Sequence, residues 1–137
     1  MSYLNWDDKF SVGVPELDRH HKILMDLISQ FHDAYAAGKG LDSMQPTFDV
    51  LMDYVAYHFE AEETIMRDNG YPQLDDHHGS HEKMIEEVKD LHGRFKQGDE
   101  GLALDLLSFL NNWWHFHILE EDGQYAQYFK DQGIQVN

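Results

Sequence analysis

The stretch His58–Glu63 reads HFEAEE and decides the fold of this 137-residue chain. On an α-helix His58 and Glu62 are four residues apart, so their side chains share one face and lie about 6 Å apart along the axis. The same face carries apolar residues at spacings of three and four, namely Phe48, Leu51, Val55 and Ile65. A packed helix turns such a face toward the core. Since a buried carboxylate costs several kcal/mol unless it is paired, the stretch predicts a partner for Glu62.

The composition narrows the classes of partner and of chemistry. The 26 acidic and 10 basic residues give a formal net charge of -16, which disfavours nucleic acid and anionic lipid. The chain has no cysteine, so disulfides, thiolate catalysis and sulfur-ligated metals are excluded, and a reducing cytoplasm is compatible. It also lacks a basic, apolar leader and any run approaching the roughly 20 apolar residues of a membrane span. We expect one soluble, cytoplasmic, monomeric domain over residues 1–137, without membrane insertion.

The spacing of apolar residues predicts four helices after an irregular arm. Asp18 is the expected N-cap of the first helix, and Asp42 or Ser43 that of the second. Glycine-containing turns separate the helices. The predicted ranges are 1–17 for the arm and about 18–38, 43–69, 75–96 and 102–131 for the helices. Helices of similar length joined by short loops indicate an all-α fold, an antiparallel up-and-down four-helix bundle.

Each predicted helix places a possible metal ligand on its inward face. The candidates are His21, then His58 and Glu62, then His77 and His81, then His117. The remaining histidines fit the polar faces of the helices; they are His20, His32, His78, His92 and His115. Two of them, His20 and His78, directly neighbour a candidate ligand and stay open as alternatives to it. Imidazole and carboxylate without sulfur suit iron, manganese or zinc. So many ligands exceed one mononuclear site and predict two ions that share Glu62.

The last carboxylate ligand is ambiguous from spacing. Glu121 follows His117 by four residues and lies about 40° from it around a regular helix, whereas Asp122 lies about 140° away. A regular helix therefore favours Glu121. The apolar residues Tyr125 and Phe129, however, are in step with Asp122. A one-residue wide turn of the π type would place Asp122 inward, and such turns concentrate at functional sites.

The chain resembles the hemerythrin family, specifically single-domain bacterial hemerythrins, over nearly its whole length. Four segments carry the resemblance, and it is their combination that is specific. They are W...FSVGV..LD with HHK (Trp6–Lys22), HFEAEETIM (His58–Met66), GYP followed by two histidines (Gly70–His81) and WW..HI...D..Y (Trp113–Tyr125).

This resemblance implies the ligand set. The family's first ligand directly precedes a lysine, which selects His21 over His20, and the final bridging carboxylate falls at Asp122. The other matching ligands are His58, Glu62, His77, His81 and His117. The family holds one of its two irons with His77, His81 and His117 and the other with His21 and His58. Glu62, Asp122 and one solvent-derived oxygen would bridge them, leaving the second iron an open position where the family binds dioxygen.

The resemblance implies reversible dioxygen binding for storage, transport or delivery, with an unidentified protein as a possible recipient. An oxidase, peroxidase or nitric oxide activity is the alternative, as is oxygen sensing through a separate partner. We expect a carrier rather than an enzyme, because no histidine carries the Glu-x-x-His pattern of ferritin-like oxygenases. Trp113, Trp114, Phe116 and Ile118 are expected to line the oxygen pocket. Trp114 replaces the leucine common in the family, and it either walls the pocket or merely fills a gap between helices.

Overall fold

Four helices build the chain, as the spacing predicts. The structure, a computed structural model, describes residues 4–99 and 101–136. Helices α1, α2 and α3 are followed by a fourth helix that runs on without interruption through α4, a π-helical segment and α5. Their bounds are Pro15–Ala36 (α1), Gly40–Asp68 (α2), Leu74–Lys96 (α3), Leu102–Asn112 (α4), Trp113–Glu121 (the π-helical segment) and Asp122–Asp131 (α5). No strand occurs among the described residues.

The helices are arranged as an antiparallel up-and-down bundle. Helices α1 and α3 each pack against α2 and against the fourth helix. The connections are short: only residues 37–39 join α1 to α2. At 1.5 Å per residue α1 is about 33 Å long, so a three-residue connection can only reverse the chain. The predicted fold class is therefore confirmed. None of the described helices is both long enough and apolar enough to span a membrane.

A glycine lies in each of the first two turns, between α1 and α2 and between α2 and α3. Gly38 and Gly70 have φ angles of +75° and +70°, in the left-handed region that favours glycine. In each reversal the next amide donates to a carbonyl five residues earlier, which closes the helix end. These bonds run from Lys39 to Ala34 at 2.7 Å and from Tyr71 to Met66 at 2.9 Å.

Helix α1 begins three residues earlier than predicted. Pro15 occupies the first turn, where its missing N–H is not needed, and Val14 takes the N-cap position. The prediction that Asp18 caps α1 is wrong. Its carboxylate instead accepts hydrogen bonds from the Val12 amide at 2.8 Å and the Ser11 hydroxyl at 2.6 Å. Asp18 therefore fastens the arm to the helix.

Helix α2 also begins early, at Gly40 instead of residue 43. Lys39 stands at the N-cap without a side-chain bond, so the expected cap by Asp42 or Ser43 is wrong. The Ser43 hydroxyl donates to the Gly40 carbonyl instead. Helix α3 begins at Leu74, one residue before the predicted start, while its end and both ends of the fourth helix fall where predicted.

The arm lies on the bundle as expected. It contains a short 3-10 turn over Asp8–Phe10, and the Leu4 amide donates to the Ser29 hydroxyl of α1 at 3.0 Å. The Trp6 ring is half-buried and packs against the core. Residues 1–3 of the predicted arm, and residue 100 of the predicted turn before the fourth helix, lie outside the described residues.

The core consists of two apolar clusters with a polar layer between them. On α1, Leu17 belongs to one cluster and Leu24 to the other. On α2, Met66 belongs to the same cluster as Leu17, and Phe59 belongs to the same cluster as Leu24. His21 lies between the two positions on α1 and Glu62 between the two on α2, so the polar layer has packed apolar residues on both sides.

Candidate metal centre

All seven predicted ligands meet in this polar layer. They come from all four helices, and each is at most 3% exposed. The seven are His21, His58, Glu62, His77, His81, His117 and Asp122. Charged groups are almost never buried to this extent without compensation. The sequence thus located the buried cluster, and the role of its members as ligands stays a prediction.

The π-helical segment brings two of these residues to the same face. The Asp122 amide donates to the His117 carbonyl, a bond that spans five residues instead of four. The wide turn is present as predicted, and it turns Asp122 into the layer. Glu121, the choice of a regular helix, lies outside it with a side chain 38% exposed.

Glu62 lies between two groups of histidines. Its Oε1 is 2.7 Å from Nε2 of His77 and 2.9 Å from Nε2 of His81. Its Oε2 faces the other way, 3.3 Å from Nε2 of His58 and 3.5 Å from Nε2 of His21. One carboxylate therefore presents one oxygen to each group.

Asp122 repeats this arrangement. Its Oδ1 lies 2.9 Å from Nε2 of His77 and 3.1 Å from Nε2 of His117. Its Oδ2 lies 3.0 Å from Nε2 of His21. Both carboxylates therefore span the same two groups of imidazoles, as bridging ligands must.

Among the residues that the structure describes, two sets of four could each hold a cation. Within each set, one ligand atom per residue lies within 4.8 Å of all the others. The first set contains Glu62, His77, His81 and His117, and the second contains His21, His58, Glu62 and Asp122. We call the first the three-histidine position and the second the two-histidine position. Glu62 belongs to both.

The buried nitrogen and oxygen atoms of the layer are better suited to binding cations than to hydrogen bonding with one another. Nε2 of His21, Nε2 of His58 and both Asp122 oxygens are buried without an aligned hydrogen bond, even where a neighbour is close. Nε2 of His81 and Nε2 of His117 face each other at 3.1 Å. Unsatisfied buried polar atoms cost about 1–3 kcal/mol each. Since all of these atoms can offer a lone pair, two shared cations would satisfy them together.

The electrostatics of the layer agree with this fit. Burial disfavours the imidazolium form, but Asp122 and Glu62 outweigh it and raise the pKa of His21 and of His77 to about 9. The pKa of His117 is likewise raised, because burial is outweighed by Asp122. Without a metal, protons on these rings balance the two carboxylates. Metal ions would take over that role and release the protons.

The carboxylates respond in the opposite direction. Burial alone would raise the pKa of Glu62, yet His58, His117 and His21 hold it well below its ordinary value. Burial and Glu62 both act to raise the pKa of Asp122, and His117 overcomes them, so Asp122 is also ionised. The layer therefore offers two carboxylates in their metal-binding form.

Carboxylates outside the layer support two of the imidazoles. Nδ1 of His81 lies 2.9 Å from Glu63, whose other oxygen bonds to His78. Nδ1 of His117 lies 3.5 Å from Glu121. Such outer partners orient ligating histidines and increase their basicity.

Glu121 and Tyr125 also have roles that spacing did not reveal. Glu121 accepts a 2.7 Å hydrogen bond from the Ser80 hydroxyl, which holds it behind the ligand candidate. The Tyr125 hydroxyl donates to Oε2 of Glu62 at 3.0 Å. The sequence contained one usable signal, since Tyr125 falls three residues after Asp122 on the inward face.

His20 differs from the prediction that it lies on a polar face. Its side chain is only 12% exposed, and its Nδ1 is 2.9 Å from Nδ1 of His58. His20 therefore stands behind a candidate ligand and outside the layer, which separates it from His21. The other alternative, His78, lies on the surface with a side chain 52% exposed.

The expected pocket lining is only partly buried. Trp113, Trp114 and Ile118 belong to one buried apolar cluster, and the Trp113 ring stacks on His117 at 3.9 Å between centroids. The expectation for Phe116 is wrong, because it is 60% exposed. Phe116 instead borders an open surface pocket of about 440 Å³ that reaches Trp113 and His117.

Four helices around a buried histidine and carboxylate layer define a class of bundle that could hold cations. A family model described as the hemerythrin HHE cation binding domain matches residues 12–129. The chain belongs to the hemerythrin family.

Relatives and solved structures agree with this assignment. The chain is 33% identical over 126 residues to the bacteriohemerythrin of Pseudomonas aeruginosa PAO1, a match covering 92% of this chain and 81% of the relative. It is 31% identical over 127 residues to the bacteriohemerythrin of Methylococcus capsulatus, covering 92% and 96%. A crystal structure of wild-type hemerythrin superposes with a TM-score of 0.81 at 30% identity, covering 92% of this chain and 97% of that one.

Proposed function

We propose that this protein binds dioxygen reversibly at a pair of iron ions, for oxygen storage, transport or delivery. The observation that carries the proposal is the placement of Glu62 and Asp122. Each carboxylate directs one oxygen toward the three-histidine position and the other toward the two-histidine position. This arrangement suits two adjacent cations and has no use in a single mononuclear site.

The two positions offer different numbers of protein ligands. The three-histidine position has His77, His81 and His117 together with both carboxylates, and the two-histidine position has only His21 and His58 with the same carboxylates. The two-histidine position therefore supplies one protein ligand fewer, which would leave room there for a small ligand. Iron in such a pair would supply the electrons for reversible dioxygen binding.

The surrounding residues favour binding over further chemistry. The layer lies between two apolar clusters and its seven ligand candidates are each at most 3% exposed, which restricts the access of larger substrates. The buried Tyr125 hydroxyl already donates to Glu62, so it is not free to deliver a proton elsewhere. Trp113, Trp114 and Ile118 add apolar bulk at the pocket. We therefore propose a carrier instead of an oxidase or peroxidase.

An oxygen titration after anaerobic reduction tests the proposal. Protein from iron-supplemented cells should contain two irons per chain and gain a visible absorption band with oxygen that disappears on deoxygenation over repeated cycles. Glu62→Gln should lose the iron and the band, whereas Glu60→Gln, on the exposed face of the same helix, should keep both. One zinc per chain without colour would contradict the proposal, and steady oxygen consumption with a reductant would favour an enzyme.

The expected location is also a proposal. The lack of cysteine suits a reducing compartment, and we infer a cytoplasmic protein. Fractionation of cells carrying the tagged full chain would test this inference, and recovery outside the cytoplasmic fraction would contradict it.

A further inference from the structure

The outward-facing nitrogens of the candidate ligands have chemically different partners. On the three-histidine position, Nδ1 of His81 meets the carboxylate of Glu63 and Nδ1 of His117 lies near that of Glu121. On the two-histidine position, Nδ1 of His58 meets another imidazole, that of His20. Two imidazoles of the three-histidine position therefore lie beside carboxylates, whereas His58 of the two-histidine position lies beside another imidazole.

The geometry determines where the protons of this imidazole pair lie. Nε2 of His58 points into the layer, 3.3 Å from Oε2 of Glu62. A nitrogen that ligates a metal carries no proton, so neutral His58 must hold its ring proton on Nδ1. The only role left for Nδ1 of His20, 2.9 Å away, is to accept that proton in a hydrogen bond. His20 must then carry its own proton on Nε2, on the side of Glu16.

Packing holds the His20 ring in this accepting position. The ring stands edge-on to Tyr57 at 5.0 Å and edge-on to His58 at 5.1 Å between centroids. Its side chain is only 12% exposed, so water has little access to compete for the bond. Because consecutive residues point about 100° apart on a helix, His21 enters the layer while His20 reaches toward α2. Neighbouring residues of α1 thus supply a candidate ligand and the support of another.

We propose that His20 is a positioning residue that fixes the tautomer and orientation of His58 and so sets the metal affinity of the two-histidine position. This inference rests on the proposed function, since it assumes that two ions bind. His20 does not touch the ions and acts through His58. Removing an outer partner of a ligating histidine typically lowers metal affinity by about 10- to 100-fold.

Zinc titration of the purified metal-free chain, followed by calorimetry, tests the proposal without oxygen chemistry. The wild-type protein should bind two ions. The two-histidine position has fewer protein ligands, so we expect it to fill in the second binding step, and His20→Ala should weaken only that step, by about 10- to 100-fold. His20→Gln should recover most of that loss, because its amide oxygen can accept the same proton. His32→Ala, another incompletely buried histidine of α1, should change neither step, and Glu63→Gln should weaken the first.

The position of the ring proton on His58 can be measured directly by NMR. In nitrogen-15 spectra of the zinc-loaded wild-type protein, the His58 ring should show a slowly exchanging proton on Nδ1. In His20→Ala that proton should exchange faster, and in His20→Gln it should be protected again. A His58 proton on Nε2 in the wild-type protein would overturn the proposal.

The remaining outcomes separate this inference from the proposed function. Fewer than two zinc ions on the wild-type chain would overturn the two-ion site and this inference with it. Two ions on the wild-type chain and unchanged binding by His20→Ala would overturn the inference alone. Equal losses in His20→Ala and His20→Gln would also overturn it, since they would show that the ring only fills space.

Discussion

Removing the metal should reverse the way in which pH affects stability. In the metal-free protein the pKa of His21 and of His77 is raised from 6.5 to about 9. The folded state then binds these protons more tightly than the unfolded state. Their contribution to stability is fully present below pH 6.5 and is lost as the pH rises through about 9. The metal-loaded protein needs deprotonated imidazoles, so its stability should rise or stay level over the same range.

The size of the effect follows from the same values. A pKa difference of about 2.5, from 6.5 to about 9, corresponds to about 3 kcal/mol for each histidine. Because both rings interact with the same carboxylates, their contributions are not additive, and we expect a total loss of about 3 kcal/mol. For a domain of this size that lowers Tm by about 10 °C. The lowered pKa values of Glu62 and Asp122 do not interfere, since they act only under acidic conditions.

Urea unfolding followed by circular dichroism at pH 6.5, 8 and 9.5 would measure the effect, on chelator-treated and on metal-loaded protein. Asp122→Asn is the control, because removing one carboxylate should flatten the pH dependence of the metal-free form. A direct check is proton release: loading with metal at pH 7 should release protons from the histidines whose pKa is raised, His21, His77 and His117. Metal-free stability that stays level or rises between pH 6.5 and 9.5 would refute the reasoning.

Three further substitutions examine the fourth helix. Asp122→Ala removes an oxygen from each metal position and should abolish binding of the two metal ions, whereas Glu121→Ala should retain it. The metal content per chain measures this difference. The reverse result would favour a regular helix with Glu121 as the ligand. Trp114→Leu should cost about 2 kcal/mol of unfolding free energy, because Trp114 is fully buried, and should speed oxygen release if this ring walls the pocket. Stopped-flow release at an unchanged rate, with the stability lowered, would assign Trp114 to packing alone.

The candidate site was predictable where each residue obeys the period of its own helix. His58 and Glu62, or His77 and His81, sit at positions where a core helix needs apolar residues, and this misplacement is visible in the sequence. Asp122 was harder, because a regular helix turns it away from His117. The shifted apolar residue Tyr125 still revealed the wide turn.

The errors arose where the outcome depends on a neighbouring helix or on local backbone geometry. His20 has a position on α1 that a helical wheel assigns to the polar face, yet α2 brings His58 against it. Phe116 was expected at the pocket for its apolar character, yet it directly precedes the buried His117 and faces away from the layer. Asp18 was chosen as a cap for its chemistry, but Pro15 begins the helix first, and the carboxylate binds the arm.

The π-type wide turn and the proposed metal binding should stabilise each other. Over the nine residues Trp113–Glu121, the π-helical segment replaces backbone hydrogen bonds that span four residues with bonds that span five. An isolated helix would not favour this change. Two contributions compensate: burial of Trp113, Trp114 and Ile118 in the apolar cluster, and placement of His117 and Asp122 on one face. The first acts in the protein with or without metal. In the metal-free protein the second depends on protonated His21 and His117 beside Asp122, whose two oxygens stay buried without an aligned hydrogen bond. Metal binding should therefore stabilise this segment more than any other part of the bundle.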